Sequence, residues 1–142
     1  MASGIYTSFK TALLSGEVDL ASGGDTIKVA LLDNSHGFTA TDDSWSDVSA
    51  NELAASGNYS TGGATLAGQA VSEDSTVGKW DATDTTWSSA TFTAYHAVIY
   101  DDTTTSPTAD QLICSIDFGG AETVASGTFT IEWDATGIIR LA

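Results

Sequence analysis

The sequence predicts a mainly β fold: one antiparallel β-sandwich domain, with the jelly roll as a candidate arrangement and one short helix near the N-terminus. Three observations carry this. Twenty-one threonines and fourteen glycines against a single proline favour strands joined by turns. Apolar residues alternate with polar ones through much of the second half, the period of a half-buried strand. The 142 residues have the length of one domain, residues 1–142, and show no internal repeat, linker or second compositional block.

The helix is read from "SGIYTSFKTALLSGE". Ile5, Phe9 and Leu13 recur every fourth residue, Tyr6 and Ala12 join the same side, and Gly16 supplies a stop. So short a helix must be held by packing rather than by propensity. "TIKVALLD" (26–33) puts Ile27, Val29 and Leu31 on one face and Lys28, Ala30 and Leu32 on the other, a mostly buried strand. Further strands are expected at 64–71, 77–82, 90–100, 111–118, 127–134 and 137–142. In "TFTIEW", Phe129, Ile131 and Trp133 point inward, while Thr128, Thr130 and Glu132 face water. Asp134 and Gly137 suit a tight turn before the last strand. Residues 34–63 read as one long polar loop with a turn of helix at "SANELA", and loops of that length often carry partner contacts.

Candidate chemistry is sparse. "HAVIYDD" places His96, Asp101 and Asp102 within seven residues. On a strand, His96 and Asp101 lie roughly 16 Å apart, so no single ion or substrate atom reaches both. His96 is therefore a sheet residue, and Asp101 and Asp102 are expected past the strand end, opening the loop "DDTTTSPTAD". The only other histidine is His36, too few for a histidine-built zinc site without distant carboxylates. Asp42, Asp43 and Asp47 lack the glycine and closing glutamate of a calcium loop. No Gly-x-Ser-x-Gly elbow or phosphate-loop lysine is present, and nineteen acids give a glycosidase pair no specificity. Cys114, in "LICSI", has no basic neighbour in sequence and reads as a small core residue. The expectation is no catalytic residue, no cofactor and no metal.

Nineteen acids oppose four bases, Lys10, Lys28, Lys79 and Arg140, for a net charge of -15. Four scattered bases make no phosphate-neutralising patch, which argues against nucleic acid and anionic membranes as partners. "MASGIYTSFK" lacks the basic end and apolar run of a secretion signal, and no apolar run approaches the roughly 20 residues of a membrane span. A soluble protein made in the cytoplasm is expected. Of the four tryptophans, Trp133 reads as core, and Trp45, in the long loop, is divided between core and interface.

The strings "DTIKVALLDNS" (25–35), "WSDVSANE" (45–52), "GGATLAGQAV" (62–71), "ATFTAYHAVIYDD" (90–102) and "DFGGAETVASGTFTIEWDATGII" (117–139) together resemble a family of small virion structural proteins from tailed bacteriophages. The resemblance spans nearly the whole chain and rests on strand and turn patterns, none of them catalytic. Where relatives often carry arginine after "TFTA", this chain has Tyr95. The resemblance implies a non-enzymatic virion component assembled in the host cytoplasm. Its charge would be repelled by packaged DNA, so the outer capsid face is expected. There it would act as a cement or decoration protein, as a homotrimer, bridging subunits of the major capsid protein. Shell contacts are expected from residues 1–9 and 38–58, chiefly Ile5, Tyr6, Phe9, Phe38, Trp45 and Asp47. The alternatives are a carbohydrate-binding module using Trp45 or Trp87, or a tail or neck component. A glycosidase comes last.

Overall fold

The computed structural model describes residues 3–142; Met1 and Ala2, part of the expected 1–9 contact segment, lie outside the described residues. The fold is two antiparallel sheets with two short helices. In chain order the strands are β1 (Gly4–Ile5), β2 (Ile27–Leu32), β3 (Ala64–Thr65), β4 (Ala70–Asp74), β5 (Val77–Asp81), β6 (Thr85–Asp101), β7 (Gln111–Ile131) and β8 (Ile139–Leu141). Helix α1 spans Thr7–Ser15 and α2 spans Trp45–Val48. The larger sheet has the order β1-β7-β6-β2-β3 and the smaller the order β4-β5-β8. The expected sandwich is found. Its five-plus-three division follows a long central hairpin rather than the paired Greek keys of a jelly roll.

Helix α1 begins two residues later than the spacing of apolar residues suggests. Ile5 pairs with Cys114 as part of β1, and the Tyr6 N–H donates to the Ile113 carbonyl at 3.1 Å. Phe9 and Ala12 form the buried side, as expected. Gly16 closes the helix at φ +73°, its N–H on the Leu13 carbonyl and the Glu17 N–H on the Ala12 carbonyl. That is the Schellman arrangement, which needs the left-handed backbone glycine adopts freely.

Strand β2 is the heart of the core. Ile27, Val29, Ala30, Leu31 and Leu32 are all completely buried, matching its apolar run. It pairs with β6 from Ile27↔Asp101 to Leu32↔His96. The two expected strands at 111–118 and 127–134 are instead one strand, β7, which stays on β6 throughout. The Gly119-Gly120 stretch that suggests a break is a bulge: from Ala94 to His96 is two steps on β6, but Glu122 to Asp117 is five on β7. Gly119 sits at φ +81° there, and the Asp117 carboxylate accepts its N–H at 2.8 Å. Two further register shifts bring Ser89 of β6 and Ser126 of β7 to positive φ. Bulges of this kind bend and twist a ribbon. The expected strand at 64–71 splits the other way, into β3 and β4, one in each sheet.

The expected helical turn at "SANELA" is found at its start, and a second short helix, α2, precedes it. Ser44 caps α2 with a full capping box, and a 3-10 turn at Ser49–Asn51 follows directly. This loop is strapped to the sheet by backbone bonds, Trp45 N–H to Asp110, Leu112 N–H to Asp43 and Leu53 N–H to Leu31. One hydrophobic cluster joins α1, both sheets and the loop, from Tyr6 and Phe9 through Trp87 to Trp80 and Ile139.

Candidate functional site

The six residues expected to touch a shell are mostly engaged internally. Tyr6 and Phe9 are buried in the core, which corrects their assignment as surface contacts: Tyr6 follows β1 onto the sheet, its N–H on the Ile113 carbonyl, and Phe9 lies on the buried side of α1. Phe38 packs on the Tyr6 ring, with centroids 5.1 Å apart, and Ile5 is half-buried. Trp45 lies parallel on Tyr100, centroids 4.6 Å apart and planes 8° apart, so one indole face is covered. Asp47 is exposed, but its carboxylate accepts the Ser44 and Asp43 N–H groups at 3.1 Å each. These bonds, Ser44 first, hold it below the usual carboxylate range.

Asp101 lies within β6 and is completely buried, not in the loop beyond it, because β2 and β7 pair with it on both sides. Its Oδ1 accepts the Thr103 N–H at 2.8 Å, while its buried Oδ2 has no hydrogen-bond partner among the described residues. Burial above all, with the neighbouring Asp25 carboxyl adding to it, pushes its pKa up to about 7. Asp102 pairs with Lys28 at 3.2 Å.

The sequence gives no hint that the two histidines meet. The β2–β6 register brings them together in the core, rings edge to face with centroids 5.1 Å apart. His36 Nε2 and Ser115 Oγ are 3.0 Å apart, and His96 Nδ1 lies 3.9 Å from Asp117 Oδ1. A serine on a histidine suggests a nucleophile, yet Ser115 and His36 are both buried. The 340 Å³ pocket at this end reaches His96 and Asp117 but neither Ser115 nor His36. Burial lowers both histidine pKa values and raises that of Cys114 to about 12, far from a reactive thiolate. Among the described residues no three His, Cys, Asp or Glu side chains gather as metal ligands.

The open surface lies elsewhere. A 450 Å³ cleft is walled by Phe118, Phe129, Ile131, Trp133 and Ile138, with Glu122, Glu132 and Asp134 also on its lining. A sharp bend of β7 between two of its aromatic residues makes it. Phe118 and Phe129 would be roughly 36 Å apart on a straight strand, but their ring centroids are 6.2 Å apart. A 330 Å³ groove between α1 and the smaller sheet is lined by Leu13, Val18, Leu20, Val71, Trp80 and Leu141. Val71 and Leu141 are two of the three large apolar side chains that stand exposed among the described residues, and the third, Leu14, adjoins the groove residue Leu13.

No family model, curated protein or solved structure matches the chain. The site is therefore read from its own chemistry. Trp87 and Trp80 are buried, so neither offers a stacking platform, and Trp45 is covered on one face by Tyr100. Three of the four bases are occupied, Lys28 on Asp102, Arg140 on Asp74 at 3.1 Å and the Thr136 carbonyl at 2.8 Å, and Lys79 on the Ala135 carbonyl at 3.4 Å. What remains is an acidic surface opened by two apolar depressions.

Proposed function

We propose that the protein is a non-enzymatic virion component that binds the outer capsid shell of a tailed phage and bridges subunits of its major capsid protein. One observation carries the reading: open apolar clefts stand on a surface of net charge -15. Such a surface is repelled by packaged DNA and suited to a basic protein face, where apolar burial supplies affinity and charge supplies steering. The resemblance of the strand and turn blocks to phage virion proteins supports the same reading. Docking would use the clefts rather than Tyr6 or Phe9, which the core already holds.

Co-sedimentation with shells assembled from the major capsid protein of the phage that encodes it tests the reading. Saturable binding at a fixed ratio to shell subunits is expected. Failure to sediment with shells at moderate salt, or electron density for the protein on the inner face, would overturn it. Homotrimerisation belongs to the proposal, and light scattering after size exclusion reads it directly.

A further inference from the structure

The geometry points to the cleft at Phe118, Phe129 and Trp133 as a socket for a lysine or arginine side chain of the shell protein, an assignment that rests on the docking reading above. The cleft has the two properties such a side chain needs. Aromatic and aliphatic walls accept a methylene stem and present ring faces to a cation. Carboxylates supply the opposite charge, and the lining contains no base. Asp134 is fixed in place, its Oδ1 accepting the Thr136 N–H at 2.8 Å and the Thr136 hydroxyl at 2.7 Å. The side chains of Glu122 and Glu132 belong to exposed residues and form no ion pair or hydrogen bond among the described residues. The nearby bases are engaged on the turn behind: Lys79 meets the Ala135 carbonyl, and Arg140 meets Asp74 and the Thr136 carbonyl.

A second copy of the chain fits the socket poorly. Each copy carries -15, and of its four bases only Lys10 has no ion pair or hydrogen bond among the described residues. At this cleft, charge complementarity therefore selects a basic partner over a second copy, and the proposed trimer would use another face.

The test titrates ¹⁵N-labelled protein with N-acetyl-lysine-N-methylamide and its arginine counterpart, using N-acetyl-norleucine-N-methylamide as the neutral control. The Trp133 indole N–H, assigned with Trp133→Phe, and the backbone amides of Glu122 and Glu132 are followed. Saturable, salt-sensitive shifts are expected at millimolar concentration with the cationic amides. Binding should weaken about fivefold in a Glu122→Gln/Glu132→Gln double variant. Absence of saturable shifts, an equal response to norleucine, or unchanged affinity in the double variant would overturn the assignment. So would concentration-dependent self-association that shields Trp133, which would give the cleft to a second copy. Shell co-sedimentation of the same double variant separates the two proposals. Undiminished shell binding together with a silent cleft sinks the socket and leaves the proposed function standing. A cleft that binds cationic amides on a protein that ignores shells does the reverse.

Discussion

At Asp101 a carboxyl group is held in the core with one oxygen unpaired and the Asp25 carboxyl beside it. Its folded pKa, about 7, lies above its ordinary 3.8. Across that window the folded chain keeps a proton the unfolded chain has released, so this group's contribution is most favourable below about pH 4 and is lost as pH rises toward 7. Asp101→Asn should therefore stabilise the protein at pH 8, by on the order of 2 kcal/mol, and change little at pH 5. Urea melts at the two pH values check this, and an equal effect at both would refute it. The buried histidines have the opposite sign. Their folded pKa values lie below 6.5, so the unfolded chain takes up protons first and stability falls as pH drops below about 6.5. His96, which faces Asp117 and Asp33 as well as His36, should shape that limb, and His96→Gln should flatten it in the same melts. None of this is legible from "HAVIYDD" alone. Local spacing rules out one shared site for its three polar residues, but burial of Asp101 and the approach of His36 both depend on which strands flank β6.

Among elements, much is readable from the chain and the remainder has specific causes. Alternation and apolar runs place β2, β5 and the ends of β7, because those segments bury their faces as the pattern implies. Continuity of β7 is hidden because Gly119, Gly120 and Ser126 carry no apolar signal, while the long β6 keeps the ladder going. Threonine pairs across it, Thr93 with Thr123 at 2.9 Å and Thr86 with Thr130 at 3.2 Å, support the pairing from the solvent side. The cleft is hidden for the same reason, since alternation along a strand does not reveal the bend that brings Phe118 to Phe129. Helix α1 offers a clean measurement. A Cβ at Gly16 meets nothing within 4 Å, so Gly16→Ala should cost only the left-handed backbone penalty, about 1 kcal/mol. At Gly63, also at positive φ, a Cβ would run into the Val29 carbonyl, so Gly63→Ala should be several-fold more damaging. Thermal melts of the two variants rank them, and a reversed order would contradict the packing of β3 on β2.

For the whole molecule the governing quantity is charge. With -15 and three of its bases already engaged, self-repulsion opposes compactness at low ionic strength. Added sodium chloride should raise the melting temperature while weakening any attachment to a basic shell, since screening relieves the first interaction and erodes the second. Calorimetry and shell sedimentation across one salt series read both, and a melting temperature that falls with salt would contradict the account.

The larger sheet ends on strands of only two residues each, β1 and β3. Beyond them, the outer edges of the hairpin, residues 85–95 of β6 and 116–131 of β7, pair with no strand among the described residues, so its bulges and the net charge of -15 must discourage stacking there. On the smaller sheet, the five-residue border β4 carries Glu73 and Asp74, which would meet the same charges on an incoming copy. Crowded with its siblings during a burst of synthesis, the protein should stay dispersed instead of growing into fibres.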